Sequence, residues 1–68
     1  MDPAQEQAFQ TCMQQCGRLL SLLENEKDSI RSCFHGEPLA AYLDATEEAI
    51  SQVKKIRSTL QNLQDRQL

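Results

Sequence analysis

The sequence predicts an all-α fold, an antiparallel two-helix hairpin of coiled-coil type that a partner chain or homodimerisation completes. Apolar residues repeat every seven positions on both sides of His35-Gly36-Glu37-Pro38, the one strong interruption of a helical pattern. A glycine can end one helix and a proline suits the first turn of the next. We therefore expect a single hairpin over 1–68: helix one about 3–34, a turn 35–38, helix two about 39–64 and a frayed tail 65–68.

The start of helix one is marked by Asp2 and Pro3. An aspartate can accept hydrogen bonds from the free N–H groups of the first turn, and a proline fits the first helical position. Gln5 stands three residues after Asp2, as in a capping box.

In each helix, two rows of apolar residues can be traced, where a row is a set of residues seven positions apart. The two rows alternate at spacings of three and four, which is the pattern of a helix–helix seam. Lys27 interrupts the rows of helix one, where its stem can lie along the seam and its ammonium stay in water. The predicted seam consists of Phe9, Met13, Cys16, Leu20, Leu23, Ile30 and Phe34 in helix one and Leu39, Tyr42, Ala49, Val53, Ile56, Leu60 and Leu63 in helix two.

Further apolar residues exceed what one helix pair can bury, and we expect them to bind a partner: Cys12, Leu19, Leu22, Leu43 and Ile50. Their partner is either a second copy, in a four-helix bundle, or a groove or helix of another protein. A chain of 68 residues forms only a marginal core, so outside help is expected.

Three cysteines and one histidine, Cys12, Cys16, Cys33 and His35, suggest a zinc site at first sight. Cys33 lies seventeen residues beyond Cys16, about 25 Å along a continuous helix, whereas zinc ligands all lie about 2.3 Å from one ion. We therefore predict no metal site and no cofactor, and expect the cysteines to act as small apolar residues. The sequence also has no phosphate-binding glycine loop and no nucleophile motif, so we do not expect an enzyme.

The net charge of −3 argues against binding to nucleic acid or to an anionic membrane surface. Lys54, Lys55 and Arg57 form the one basic cluster, late in helix two, where it offsets the helix dipole. We expect neither a transmembrane helix nor a signal peptide, and so a cytoplasmic location.

Residues 33–43 (CFHGEPLAAYL), followed by Ala49-Ile50, resemble the small helical-hairpin co-chaperones of type III secretion, of the YscE/PscE type. Flagellar export chaperones of the FliT/FlgN type have a similar helix-turn-helix rhythm. The resemblance covers roughly residues 19–60. It implies an adaptor that pairs with a larger helical-repeat chaperone and keeps a secreted subunit monomeric.

The expected function is therefore that of a non-enzymatic protein-binding adaptor or co-chaperone. The alternative is a structural homodimeric four-helix bundle, or a small regulator that acts by protein–protein contact.

Overall fold

The computed structural model describes the backbone of residues 2–67 and the side chains of residues 2–66. Two α-helices, α1 (Pro3–Cys33) and α2 (Gly36–Gln67), run antiparallel and form a rod of 51 × 15 × 10 Å. The predicted all-α hairpin is confirmed.

The first turn of α1 is capped by Asp2, as its sequence predicts. Asp2 has an extended backbone, and its Oδ1 accepts a hydrogen bond of 2.8 Å from the Gln5 N–H. The Asp2 carbonyl accepts a second bond, of 3.0 Å, from the Glu6 N–H, and Pro3 occupies the first helical position. The free N–H groups of the helix start are thus partly satisfied within the chain.

The turn is shorter than predicted, because only Phe34 and His35 lie between the helices. Phe34 has an extended backbone and donates its N–H to the Ile30 carbonyl, 2.9 Å away, which closes the last turn of α1. Gly36 has φ +69°, in the left-handed region expected of it, but it begins α2. Pro38 then lies inside the first turn of α2, where its missing N–H removes no helical hydrogen bond.

At the other end, α2 continues to Gln67, so residues 65–67 are helical where a frayed tail is predicted. Gln61 Nε2 donates a hydrogen bond of 3.0 Å to Asp65 Oδ1, one helical turn on, and this contact supports the last turns. Leu68 lies outside the described residues.

The seam of α1 is formed by the predicted rows, with one exception. Cys16 and Ile30 are buried, and the other members are half-buried: Phe9, Met13, Leu20, Leu23 and Lys27. The exception is Phe34, which lies beyond the end of the helix and is exposed. Its ring instead packs against that of Tyr42, with 5.7 Å between the centroids.

The seam of α2 differs from the prediction in one row. Leu43 and Ile50, expected outside the seam, lie in it, and only 3% of Ile50 is exposed. Tyr42, Ile56 and Leu63, expected in the seam, are exposed. The row that faces α1 consists of Leu39, Leu43, Thr46, Ile50, Val53, Leu60 and Gln64.

The cause is the width of the apolar stripe on α2, which contains two adjacent rows that could each complete a seam. The row of Leu43 and Ile50 ends in Arg57 and Gln64. A count of apolar residues therefore assigns the neighbouring row, from Tyr42 to Leu63, to the seam. The short connection decides otherwise, because two residues between helices leave α2 little freedom to rotate about its axis. Gln64 is accordingly half-buried in the seam and Arg57 stays exposed.

Within residues 2–66 the buried core is small: Cys16, Ile30, Thr46 and Ile50. Thr46 is the polar member, and its hydroxyl donates a hydrogen bond of 2.9 Å to the Tyr42 carbonyl, four residues earlier. A buried hydroxyl without a partner would be costly, so this bond makes the residue tolerable in the seam.

The two glycines are expected to respond oppositely to alanine. A Cβ on Gly17 meets no atom within 4 Å, so Gly17→Ala removes a flexible residue from a helix and raises the free energy of unfolding by about 1 kcal/mol. At Gly36 the same change forces alanine into the left-handed region and lowers the free energy of unfolding by about 1–2 kcal/mol. Urea unfolding followed by circular dichroism measures both, and equal signs would refute the turn geometry.

Truncation distinguishes the two candidate rows of α2. Ile50→Ala leaves a cavity in the seam, and we expect it to lower the free energy of unfolding by about 2–5 kcal/mol. Ile56→Ala makes the same change where 54% of the residue is exposed, so a much smaller loss is expected. Urea titration of dilute protein compares the two, and a larger loss for Ile56→Ala would restore the row that the sequence pattern favours.

Candidate protein-binding surface

Two cross-helix contacts mark the two sides of the hairpin. On one side, the Tyr42 hydroxyl donates a hydrogen bond of 3.1 Å to Glu26 Oε1. On the other, the Lys27 ammonium forms an ion pair with Glu47. The helix positions beside each contact can therefore be assigned to one side or the other by their heptad spacing.

The side of the Lys27–Glu47 pair carries most of the charge. Lys27 is largely buried along its stem, and its Nζ also lies 3.7 Å from Glu24. The helix positions on this side hold both signs of charge: Glu24, Asp28, Arg31, Asp44, Glu47, Lys54 and Asp65. Arg31 lies 3.6 Å from Asp28 in a second, more exposed pair. This side is therefore a mixed, solvated surface.

The Lys27–Glu47 pair shifts both groups. The hydrogen bond from Lys27, and then its charge, lower the pKa of the Glu47 carboxyl. The same hydrogen bond, with the charges of Glu24 and Glu47, raises the pKa of the Lys27 ammonium against the opposing effect of its burial. The ionised forms of both groups are thus favoured by folding.

The opposite side, which we name the charge-poor face, has the Tyr42–Glu26 bond across it. Every residue of this face is exposed except Ala49, which is half-buried, and its only charged residues are Glu26 and Arg66. The face comprises Gln5, Ala8, Cys12, Gln15, Leu19, Leu22, Glu26, Ser29 and Cys33 of α1 and Tyr42, Ala45, Ala49, Gln52, Ile56, Thr59, Leu63 and Arg66 of α2.

Large apolar side chains lie exposed along the charge-poor face. Leu22 is 65% exposed and Ile56 54%, and Leu19, Leu63 and Tyr42 are exposed as well. Single exposed apolar residues are ordinary on a protein surface, but several on one nearly uncharged face indicate a surface that meets another molecule.

The face contains some of the residues that the sequence predicts to bind a partner and excludes others. Cys12, Leu19 and Leu22 belong to it, whereas Leu43 and Ile50 are in the seam and are not available to a partner.

Four members of the face are residues that the heptad pattern assigns to the seam: Tyr42, Ala49, Ile56 and Leu63. The absence of charge beside their row is a signal that could have identified them. An outer helical flank exposed to water normally alternates apolar with charged residues.

Tyr42 sits at the end of this face nearest the turn. Its ring packs at a tilt of 46° against Phe34, and its hydroxyl reaches Glu26 on the other helix. The hydrogen bond to Glu26, together with the negative charge of that carboxylate, raises the pKa of the Tyr42 phenol. Tyr42 thus links the two helices on this side through its hydrogen bond to the Glu26 carboxylate.

The cysteines that suggest zinc in the sequence are separated in the fold. Cys16 is buried in the seam, whereas Cys12 and Cys33 are exposed, and all three are free thiols. Among the described residues, no three His, Cys, Asp or Glu side chains are grouped so that they could hold a metal ion.

One surface depression lies on α1 over Gly17. It is open to solvent and lined by residues of that helix alone: Gln14, Gly17, Arg18, Ser21, Leu22 and Asn25. A depression on a single helix offers a small substrate no opposing wall, so it lacks the enclosure typical of a ligand site.

Comparison of the chain with protein-family models, curated proteins and solved structures gives no match. Over the described residues, neither helix has an apolar stretch that is long enough to span a bilayer.

The Lys27–Glu47 pair makes stability depend on pH. Because the pKa of Glu47 is lowered on folding, its contribution is present above the unfolded value, about 4.3, and is lost as the pH falls through the folded value. Lys27, with a raised pKa, contributes below about 10.4 and loses its contribution at higher pH. Glu47→Gln should therefore lower the Tm at neutral pH and leave it unchanged in strong acid.

Glu48→Gln provides the matched control, because Glu48 is the exposed next residue of the same helix. We expect it to change the Tm less than Glu47→Gln at neutral pH. Thermal unfolding of the three proteins across the pH range measures the effect. A deficit of Glu47→Gln that persists in acid would show that the ion pair is not its cause.

Proposed function

We propose that this chain is a non-enzymatic protein-binding adaptor of the co-chaperone kind, which holds another helical protein against its charge-poor face. The observation that carries the proposal is the set of large apolar side chains exposed on a face with only two charged members. Such a set is costly in water and gains stability when a partner covers it.

The energetic basis is the apolar area that the face offers. Burial of one exposed leucine or isoleucine side chain is worth roughly 1.5–3 kcal/mol. Leu19, Leu22, Ile56 and Leu63 together therefore offer enough to offset part of the entropy lost on association. The isolated hairpin has only a small core, so binding also stabilises the adaptor itself.

The chemistry of the face indicates the kind of partner. A nearly uncharged, elongated surface of two parallel ridges suits an amphipathic helix that presents leucine-like side chains at spacings of three and four. The uncharged polar members, such as Gln15 and Gln52, can hydrogen-bond at the rim. A strongly charged partner would find few groups here to pair with.

The resemblance of residues 33–43 to type III secretion co-chaperones supports a specific role within this class. In that role the adaptor acts in the cytoplasm, pairs with a larger helical-repeat chaperone and keeps an aggregation-prone secreted subunit from self-association before export. The charge-poor face then binds an apolar helix of the chaperone or of the subunit and covers it from water.

The test is capture of the partner from the native cell with tagged wild-type chain and with Leu22→Glu. Leu22 is largely exposed, so the change leaves the hairpin folded but places a charge in the middle of the face. We expect wild type to co-purify with a helical protein and Leu22→Glu to lose it by tenfold or more.

Ser21→Glu is the matched control, because it adds the same charge to the neighbouring exposed position on the other side of α1. We expect this variant to retain the partner. Helical circular dichroism verifies that each variant is folded. Recovery of nothing but the chain itself, or equal loss in both variants, would overturn the adaptor proposal.

A further inference from the structure

The charge-poor face is arranged so that it can pair with itself. On α1, three pairs of exposed residues are centred on the same point of the sequence, between positions 20 and 21. The pairs are Leu19 with Leu22, Gln15 with Glu26, and Cys12 with Ser29. A two-fold axis through that midpoint, perpendicular to the helices and in the plane of the face, would bring each member of a pair opposite the other member in a second copy.

The same axis fits α2. The contacts of Lys27 with Glu47 and of Tyr42 with Glu26 align the antiparallel helices so that the midpoint on α1 lies level with about residues 48–53 of α2, close to Ala49. Ala49 would then lie beside the axis, where its small side chain lets the two α2 helices approach closely. Tyr42 would face the partner's Ile56, since both residues lie seven positions from Ala49.

The charges of the face are also compatible with a second copy. In this arrangement Glu26 faces the partner's Gln15, an amide donor, and the two Glu26 carboxylates stay apart. The chain has a net charge of −3, and a face that carries little charge adds little repulsion when two copies approach through it.

The broad face of the rod is comparable in size to one side of a standard protein–protein interface. The broad face of the rod measures 51 by 15 Å, about 770 Å² in projection. A standard protein–protein interface buries roughly 800 Å² on each partner. A single helix from another protein would cover only part of this width, since a helix with its side chains is about 10–12 Å across.

We infer that a second copy of this chain closes the charge-poor face whenever no other protein holds it. The product is a two-fold four-helix bundle with the turns at opposite ends, in which α1 packs on α1 of the partner and α2 on α2. The inference rests on the face named in the proposed function, and it makes self-association compete with partner binding.

The oligomeric state is tested by sedimentation of the purified full chain over a range of micromolar concentrations. We expect a dimer whose Tm rises with concentration, a monomer for Leu22→Glu and a dimer for Ser21→Glu. A wild-type chain that stays monomeric, or a Leu22→Glu chain that stays dimeric, overturns the inference. Neither result depends on whether a cellular partner is captured, so the two proposals fail separately.

The arrangement is tested by cysteine cross-linking through the native Cys12. With the turns at opposite ends, Cys12 lies level with the partner's Ser29, so Ser29→Cys should give a disulfide-linked dimer under mild oxidation. The two residues are about 25 Å apart along α1 of one chain, so the bond can form only between chains. Adding Cys12→Ser to Ser29→Cys should abolish it.

Thr59→Cys is the counter-test, because it is an exposed position of the same face on α2. With the turns at the same end, α1 would lie on α2 of the partner and Cys12 would come near residue 59. We expect no Cys12-dependent cross-link for Thr59→Cys. A cross-link there, with none for Ser29→Cys, would overturn the opposite-ended bundle.

Discussion

The connection between the helices is the constraint on which the rest of the structure depends. Only Phe34 and His35 lie outside helical structure between α1 and α2, and Gly36 turns the chain through a positive φ that other residues adopt at a cost. So short a connection leaves the second helix little freedom to rotate about its axis. It therefore decides that Leu43 and Ile50 meet the first helix and that their neighbouring row is left outside.

The orientation of α2 about its axis also determines on which side of the hairpin the charges lie. On one side Lys27 reaches out of the seam to Glu47 and Glu24, and acidic and basic residues continue along the same surface. On the other side the rows that the seam leaves out contain almost no charge, and Glu26 accepts a hydrogen bond from Tyr42. A hairpin with one solvated side and one apolar side follows from the same rotation that completes its core.

The small core explains why the apolar side matters. Among the described side chains, Cys16, Ile30 and Ile50 are the buried apolar ones, and a chain of this length has little else with which to offset the entropy of ordering two long helices. Covering the charge-poor face, by a second copy or by another helical protein, extends the core across two hairpins. Stability and function are then properties of the assembly.

Much of the fold follows from local rules. Asp2 and Pro3 start the first helix as capping chemistry requires, and its seven-residue repeat identifies every buried member of its seam. Those assignments hold because the first helix has one dominant apolar stripe. For the same reason the repeat alone is enough to place Cys16 in the seam and to separate it from Cys33.

The second helix shows what the sequence by itself could not determine. Its rows led by Leu39, Tyr42 and Leu43 are all apolar near the turn, so the repeat specifies a helix with a wide stripe but not which two rows face inward. That choice depends on the geometry of the connection, a property of the folded chain and not of the pattern. The sequence determined two antiparallel helices and an excess of apolar surface; only the tertiary structure decided which residues, Ile50 or Ile56, are core and which are surface.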